Sequence, residues 1–319
     1  MAGVVRNILL LFSSCMLGYI GAWLASRYGF LDMPTGRSSH EKPIPKGGGI
    51  GILGAFVFSG FAYGIPTRVM WPTIAISLLS LADDWQDLAP AFRLLMQFLA
   101  AGVLVFLSHW SWWAVLPACL FIVGTANFYN FMDGINGLAA MTGIAGFLLL
   151  GSYGVVYGMP KSYSMLCFSI ALACLGFLPM NIPRARVFMG DVGSVLLGYL
   201  FAFFVLSFSR NFAEFVLLAS FLFPFYADVL LCLFERLRQG HPLMQAHRSH
   251  LYQILANEYG IAHWKIALAY VIVQCSVALC SWLFIRYSLL VFFCWLAFCS
   301  FLFVAVNNRV KSKRLSINS

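Results

Sequence analysis

Long apolar runs, separated by short polar segments, fill almost the whole chain. An α-helix rises about 1.5 Å per residue, so roughly 17–25 apolar residues cross the hydrocarbon core of a bilayer. The pattern therefore predicts an all-α polytopic integral membrane protein with about 11 transmembrane helices. The predicted spans lie near residues 5–28, 47–65, 69–83, 91–108, 112–130, 137–158, 163–180, 192–208, 213–234, 265–284 and 288–306. The first is longer than a signal-peptide core, so we expect it to be retained.

The organisation of the chain is simple. We predict one transmembrane domain over residues 1–306 and a basic cytoplasmic tail at 307–319. Neither a linker nor an internal repeat interrupts the domain. The tail is expected to lie at the anionic membrane surface.

Lysine and arginine predict the orientation of the chain. If the N-terminus is periplasmic, only five of the 20 basic residues fall in outer segments. The five are Arg6, Arg68, Lys161, Arg210 and Arg286. The positive-inside rule therefore favours a periplasmic N-terminus and a cytoplasmic C-terminus. The acidic residues, apart from Glu214 and Asp228, fall on the same inner side. Because acidic residues contribute little to topology, this bias indicates an active site on the cytoplasmic face.

Composition supports a membrane protein and excludes other classes. The chain is 61% hydrophobic and only 10% charged, whereas soluble domains are about one quarter charged. The formal charge of +9 comes from scattered basic residues, which indicates topology signals and no nucleic-acid partner. The nine cysteines lie in apolar runs without a CxxC pair, so neither a zinc site nor a disulfide framework is predicted.

The first polar segment with candidate chemistry covers residues 32–49. It holds Arg37, His40 and Lys46 and ends in three consecutive glycines at the start of the second span. Glycine allows backbone N–H groups to approach a ligand, and a helix N-terminus favours an anion. Basic side chains beside it suit phosphate. A helix breaker flanked by topology-setting charges is the alternative interpretation.

A pair of carboxylates, Asp83 and Asp84, interrupts the end of the third span. Each would cost ~2.5–3.5 kcal/mol at the centre of a bilayer, and the two repel each other. A divalent cation would compensate both effects, and oxygen ligands suit Mg²⁺. An ordinary acidic turn at the interface is the alternative.

The third segment places Asn127, Asn130, Asp133 and Asn136 at intervals of three residues. This spacing brings them near one face if the stretch is helical. Glycines follow and free backbone donors. Four such groups at the end of an apolar span indicate a functional site.

The fourth segment, residues 183–194, combines a basic pair with Phe188 and Asp191 and then opens another span with glycine and serine. Asp191 is a third candidate metal ligand. Phe188 could stack on a nucleobase, and ordinary packing explains this residue equally well.

The fifth segment lies in the longest inner loop and contains His241, His247, Arg248 and His250. A His-x-x-His pair can bind a transition metal. The neighbouring arginines make phosphate binding the favoured interpretation, and imidazoles can donate hydrogen bonds to a pyrophosphate.

Three polar residues lie apart from these segments. His109 and His263 each stand beside a tryptophan, which is typical of a membrane interface. Asp228 lies inside the ninth span, where an acid usually faces an interior cavity, and whether it lines the site is left open.

Taken in order, these segments resemble the polyprenyl-phosphate N-acetylhexosamine-1-phosphate transferases of glycosyltransferase family 4. The family includes the initiators of O-antigen and enterobacterial common antigen synthesis and the translocase of peptidoglycan synthesis. The matching motifs lie between residues 32 and 253. They read Asp-x-Pro-x-x-Arg-x-x-His with Gly-Gly, Asp-Asp, Asn-Phe-x-Asn-Phe-Met-Asp-Gly, Phe-Met-Gly-Asp-x-Gly-Ser and His-Arg-Ser-His-Leu.

The resemblance implies a reaction between a UDP-N-acetylhexosamine and undecaprenyl phosphate. Its products would be undecaprenyl-pyrophosphoryl-N-acetylhexosamine and UMP, with Mg²⁺ as cofactor and Mn²⁺ as an acceptable substitute. The expected location is the bacterial inner membrane, where the product would initiate O-antigen or a related cell-envelope polysaccharide. A homodimer is compatible with the sequence.

The resemblance also implies roles for individual residues. The candidate catalytic residues are Asp83, Asp84, Asn130, Asp133, His247 and His250. The candidate substrate-binding residues are Arg37, His40, Lys46, Gly134, Ile135, Asn136, Phe188 and Arg248. The candidate metal ligands are Asp83, Asp84 and Asp191.

Two departures point away from peptidoglycan synthesis. Asn136 stands where the peptidoglycan translocase has an aspartate, and His-Arg-Ser-His replaces its consecutive histidines. The sequence leaves open which sugar is transferred and whether Asp84 acts as a base, orients the acceptor or binds metal.

A transporter of an anionic solute is the rival function. Carriers usually place their polar site at the midplane between paired halves. Here the polar groups collect at one surface and no repeat is present, which favours the enzyme.

Overall fold

The computed structural model describes residues 2–34, 42–86, 88–106, 112–240 and 248–317. Three candidate site residues, Arg37, His40 and His247, lie outside the described residues.

Helices form most of the described chain. They are α1 (Ala2–Tyr28), α2 (Ile50–Ala62), α3 (Thr67–Gln86), α4 (Pro90–Phe106), α5 (Trp112–Phe131), α6 (Leu138–Val156), α7 (Lys161–Phe177), α8 (Asp191–Phe208), α9 (Phe212–Ala219), α10 (Phe223–Arg238), α11 (Leu251–Asn257), α12 (His263–Phe284) and α13 (Leu289–Ile317). A 3-10 turn at Ser220–Leu222 joins α9 to α10, and another at Leu178–Met180 extends α7.

Each predicted apolar run corresponds to a helix or, in one case, to the pair α9 and α10. Among the described residues, eight helical segments are long and apolar enough to cross a membrane. Helices α2 and α4 are apolar but shorter, with 13 and 17 residues. The all-α polytopic class is therefore confirmed. The count of eleven spans and the orientation remain predictions.

Helix α8 lies at the centre of the bundle. Every residue from 192 to 205 is buried, and α8 packs against α2, α3, α5 and α6. Small residues permit close backbone contact, because a Cβ added to Gly49 would lie only 2.4 Å from the Cα atom of Gly193. The N-terminus of α8 is thereby held firmly against the N-terminus of α2.

A short antiparallel hairpin connects α1 to α2 and brings two of the polar segments together. Its strands are β1 (Phe30–Asp32) and β2 (Ile44–Lys46). The backbone N–H of Phe188 donates to Pro45, and that of Gly48 donates to Phe188, at 2.8 and 2.9 Å. These bonds fix the segment that precedes α8 beside the strand that carries Lys46.

Candidate active site

Asp84 joins three separate parts of the chain at the end of α3. Its Oδ2 atom accepts a hydrogen bond from the backbone N–H of Asp191 at 2.9 Å. Its Oδ1 atom lies 3.3 Å from Lys46 Nζ on β2, and only 4% of the Asp84 side chain is exposed. A buried carboxylate with a cation and an amide donor has its charge compensated. Asp84 therefore connects the first, second and fourth polar segments.

Asp83 points to a different partner. Its Oδ2 atom lies 2.6 Å from Arg93 Nη1, and its Oδ1 atom accepts from the Leu88 backbone N–H at 2.8 Å. The same Arg93 nitrogen is 3.9 Å from Asp191 Oδ2. Asp83 thus holds Arg93 beside Asp191, and its role as a metal ligand remains a prediction.

Asp191 lies at the first residue of α8 and is bonded to the third polar segment. Asn130 Nδ2 donates to Asp191 Oδ1 at 2.8 Å and lies 3.0 Å from Ser194 Oγ. Gly190, directly before it, has a φ of +75°, and a Cβ there would lie 2.6 Å from Asp84 Oδ2. Only glycine accommodates both this backbone conformation and the close carboxylate.

Asp133 follows the end of α5, in the turn before α6. Burial raises the pKa of its carboxyl well above the usual value, and the nearby negative charges of Asp191 and Asp84 raise it further. Burial and the two neighbouring charges therefore both favour the neutral form of Asp133.

The donor set fits Mg²⁺ only together with a substrate. Within the described residues, no group of three or more His, Cys, Asp or Glu side chains converges closely enough to hold a metal ion. Mg²⁺ is usually bound through one or two carboxylates, with phosphate oxygens and water completing its shell. Asp84 and Asp191, whose charges both act on Asp133, provide that number. The magnesium site remains a prediction that these residues satisfy chemically.

A cavity of about 150 Å³ opens between α3, α4, α5 and α8. Its polar wall is formed by Ser80, Asp83, Arg93, Gln97, Asn127, Asn130 and Asp191. Its apolar wall includes Ile76, Leu79, Leu94 and Val195. The cavity can therefore receive a ligand with one polar end and one hydrocarbon end.

The sequence interpretation missed Arg93 and Gln97. They are four residues apart on α4 and so lie on one face of that helix. Gln97 is buried, and its Oε1 atom accepts from Asn127 Nδ2 at 2.6 Å. The sequence did contain a signal for them, because an apolar helix rarely carries a basic residue and an amide four residues apart unless they have a use.

The turn after α5 is held by two residues outside the candidate set. Asn181 accepts from the Gly137 backbone N–H at 2.6 Å and donates to the Val187 carbonyl at 2.9 Å. His263 Nδ1 accepts from the Asn136 backbone N–H at 3.2 Å. His263, which the sequence analysis placed at the membrane interface, therefore also helps to hold this turn. Of the predicted nucleotide contacts in this turn, Ile135 is buried, whereas Gly134 is exposed.

The described part of the histidine segment packs against Asp228. His250 is 3% exposed, and its Nδ1 atom lies 3.4 Å from Asp228 Oδ1. The same carboxylate accepts from the Leu251 backbone N–H at 2.9 Å and from Tyr270 Oη at 2.6 Å. Asp228 therefore anchors the N-terminus of α11, which answers the question left open by the sequence. Arg248 lies half-buried just before His250.

Tyr252 connects this anchor to the turn after α5. Its hydroxyl donates to the Phe131 carbonyl at 2.9 Å, and a Cβ added to Gly134 would lie 2.2 Å from that hydroxyl. The third and fifth polar segments are thus in direct contact through one tyrosine.

We expect Arg93→Ala to lower catalytic activity by about 10²-fold, the cost of removing one donor aimed at developing charge. It would also leave the buried Asp83 without its cation. Arg93→Lys should retain part of the activity, because an ammonium pairs with Asp83 but lacks the guanidinium fork. Steady-state kinetics on purified protein would measure both effects. Arg286→Ala, at the opposite end of the bundle, is the matched control, and an equal loss there would contradict a site-specific role.

Comparisons with known proteins show which proteins this chain resembles. Residues 67–209 match the sequence profile described as Glycosyl transferase family 4. The decaprenyl-phosphate N-acetylglucosaminephosphotransferase of Mycobacterium tuberculosis is 31% identical over 302 residues, covering 77% of this chain and 73% of the relative. The undecaprenyl-phosphate alpha-N-acetylglucosaminyl 1-phosphate transferase of Thermotoga maritima is 28% identical, covering 76% and 78%. A phospho-N-acetylmuramoyl-pentapeptide-transferase from Synechococcus is 36% identical over 199 residues, covering 51% of this chain and 56% of the relative.

Proposed function

The chain belongs to glycosyl transferase family 4, and from this membership we propose that it transfers N-acetylhexosamine 1-phosphate from a UDP-sugar to undecaprenyl phosphate. The products would be undecaprenyl-pyrophosphoryl-N-acetylhexosamine and UMP. In this proposal the protein lies in the bacterial inner membrane with its active site on the cytoplasmic face, and its product initiates O-antigen or a related envelope polysaccharide.

One observation carries the proposal. Direct contacts link five polar side chains from five different elements beside an amphipathic cavity. They are Lys46 on β2, Asp84 on α3, Arg93 on α4, Asn130 on α5 and Asp191 on α8. A transferase that joins a water-soluble nucleotide sugar to a lipid phosphate needs a polar site with an apolar exit. The cavity has a polar wall and an apolar wall, which supports the proposal.

The chemistry assigned to these residues is mainly electrostatic. The acceptor phosphate is anionic at neutral pH, so it needs positioning and charge neutralisation more than deprotonation. In the proposed mechanism Arg93 and Lys46 offset the negative charge of the two phosphates, and Asn130 keeps Asp191 oriented. Mg²⁺, held by Asp84 and Asp191, would supply Lewis-acid stabilisation of charge on the donor pyrophosphate.

The nucleotide is proposed to bind at the turn after α5. Gly134, Ile135 and Asn136 would contact it, Phe188 would stack on uracil, and Arg248 with His250 would lie beside the pyrophosphate. The contact of Tyr252 with the Phe131 carbonyl supports this proposal, because it places the described histidine segment next to that turn.

The direct test is UMP release by purified protein in detergent or nanodiscs. The assay would contain undecaprenyl phosphate, Mg²⁺ and one member of a panel that includes UDP-GlcNAc, UDP-GalNAc, UDP-FucNAc and UDP-QuiNAc. We expect UMP only when both the lipid phosphate and the metal are present, with EDTA abolishing it and Mn²⁺ restoring part of it. The preferred member of the panel would identify the sugar.

No UMP from any member of the panel, with a folded protein, would overturn the proposal. Transport of an anionic solute would then be measured as uptake into proteoliposomes. UMP release that persists in EDTA would leave the transfer reaction in place but reject the magnesium part.

A further inference from the structure

Polar contacts hold the last turns of α13 against the end of the bundle that carries the candidate site. The apolar part of α13 ends near Val306, and the helix continues to Ile317 through the predicted basic tail. Asn307 is buried, and its Nδ2 atom donates to Glu235 Oε1 on α10 at 3.1 Å. Lys311, one turn further along, pairs with Oε2 of the same carboxylate. Two successive turns of α13 are thereby fixed to α10.

The contact with Glu235 is directional and largely covered. Residues four apart on a helix share one face, so Asn307 and Lys311 reach the same carboxylate. Only 21% of the Lys311 side chain and 26% of the Glu235 side chain are exposed. A carboxylate with one neutral and one charged donor on its two oxygens is held in one orientation. Arg309, by contrast, is exposed and lies about 200° around α13 from Asn307.

The same face of α10 also holds the histidine segment. Asp228 accepts from the Leu251 backbone N–H at the start of α11. One turn further along α10, Cys232 Sγ lies 3.1 Å from Ser249 Oγ. Asp228, Cys232 and Glu235 follow one another at intervals of four and three residues, so they share one face of α10. This face therefore contacts the histidine segment at one end and α13 at the other.

The far end of α11 is held by α13. Tyr259 lies two residues beyond the end of α11, and its hydroxyl donates to the Val310 carbonyl at 2.8 Å. Because α11 has only seven residues, it is too short to be stable by itself, and its position depends on its neighbours. Those neighbours are α10 at its first turn and α13 beyond its last. Glu235 joins these two supports to each other.

We propose that Glu235, together with Asn307 and Lys311, positions the histidine segment for binding of the sugar nucleotide, an inference that rests on the proposed function. The contact keeps α10 and α13 in one relative position, and so fixes both supports of α11. Helix α11 in turn holds Tyr252 against the turn after α5, where the nucleotide is proposed to bind. Breaking the contact shifts α11 and leaves the cavity between α3, α4, α5 and α8 unchanged.

Reversing the charges of the ion pair provides the kinetic test. Lys311→Glu places two carboxylates together, and we expect the KM for the preferred UDP-sugar of the panel to rise about fivefold, the scale of one partly exposed ion pair. The KM for undecaprenyl phosphate should stay unchanged. The double variant Glu235→Lys with Lys311→Glu restores opposite charges and should return the UDP-sugar KM to near the wild-type value. Arg309→Glu makes the same charge change on the other side of α13 and is the matched control.

Several outcomes of these kinetics would overturn the proposal. An equal rise in both KM values would indicate general destabilisation of the bundle. An unchanged UDP-sugar KM, or no rescue by the double variant, would show that the ion pair does not position the site. The same rise with Arg309→Glu would indicate an effect of net charge alone. If Lys311→Glu does not fold, Glu235→Gln is the milder variant, because it loses the charge but keeps an acceptor oxygen for Asn307, and the same KM should rise by less.

Amide hydrogen exchange separates this inference from the proposed reaction. It would be measured on the full chain in nanodiscs without substrate. We expect Lys311→Glu to speed exchange at residues 248–257 while the amides of α6 keep their wild-type rates, and the double variant to restore protection. This result would support the link from α13 to α11 even if no UDP-sugar gave UMP, which would reject the proposed reaction alone. Unchanged exchange at residues 248–257 would overturn the positioning role even if UMP formed.

Discussion

Asp191→Asn is expected to lower UMP release by about 10²- to 10³-fold while leaving the fold intact, the scale seen when one preorganised electrostatic contact is removed. The side chain keeps its shape but loses its charge, so a cation between residues 84 and 191 would be bound by one carboxylate where the native protein offers two. The new amide can still accept from Asn130 Nδ2, but only through its one carbonyl oxygen. Initial rates of UMP formation over a Mg²⁺ titration would measure both the rate and the apparent metal affinity.

The control for this prediction is Glu214→Gln. Glu214 also lies in the first turn of a helix and also pairs with an arginine, since its Oε1 atom is 2.8 Å from Arg210 Nη2. It precedes α10 at the end of the bundle away from Asp191. We expect wild-type activity and an unchanged Mg²⁺ requirement. Full activity of Asp191→Asn would remove Asp191 from the metal site.

Asp228→Ala should have the largest effect on stability. It removes the acceptor of the Leu251 backbone N–H and of the Tyr270 hydroxyl inside the bundle. Each buried donor left without a partner costs about 1–3 kcal/mol. We therefore expect a lower melting temperature in detergent and faster amide hydrogen exchange at residues 248–257. Asp228→Asn keeps one acceptor oxygen and should lie between wild type and the alanine variant.

The Asp228 substitutions should also weaken substrate binding, because they shift α11. Because α11 carries Tyr252, which bonds to the Phe131 carbonyl, loosening α11 should raise the KM for the UDP-sugar more than the KM for the lipid acceptor. Tyr252→Phe removes that one bond without disturbing Asp228 and should raise the same KM. An equal change in both KM values would indicate general destabilisation and contradict the positioning role.

The helices were predictable because the bilayer limits what an apolar run can do. A run of about 20 apolar residues in lipid must satisfy its backbone hydrogen bonds internally, and a helix does so. The apolar run at 213–234 shows that this reasoning does not locate breaks within a helical segment. The structure divides it into α9, a 3-10 turn and α10, and Pro224 lies in the first turn of α10. Hydropathy does not distinguish a broken helix from a continuous one.

The candidate site shows a similar division. The carboxylates and amides were predictable, because polar groups at the ends of apolar spans are costly unless they have a use. The residues that these carboxylates and amides contact were not predictable. Asp83 and Asp84 are adjacent in sequence, yet one contacts Arg93 on α4 and the other Lys46 on β2. Adjacent helical side chains point about 100° apart, so the surrounding elements decide what each one meets.

The sequence by itself determined the class of protein, the approximate ends of its helices, the family and the residue types of the site. Each of these depends on local composition, spacing or motif order. Only the tertiary structure decided that Asp84 accepts a hydrogen bond from the backbone of Asp191, 107 positions away, and that Asp228 anchors α11. The physical reason is that directional hydrogen bonds between distant residues form only when several helices pack together. The hydrophobic pattern of one segment indicates only that the segment is buried or lies in lipid.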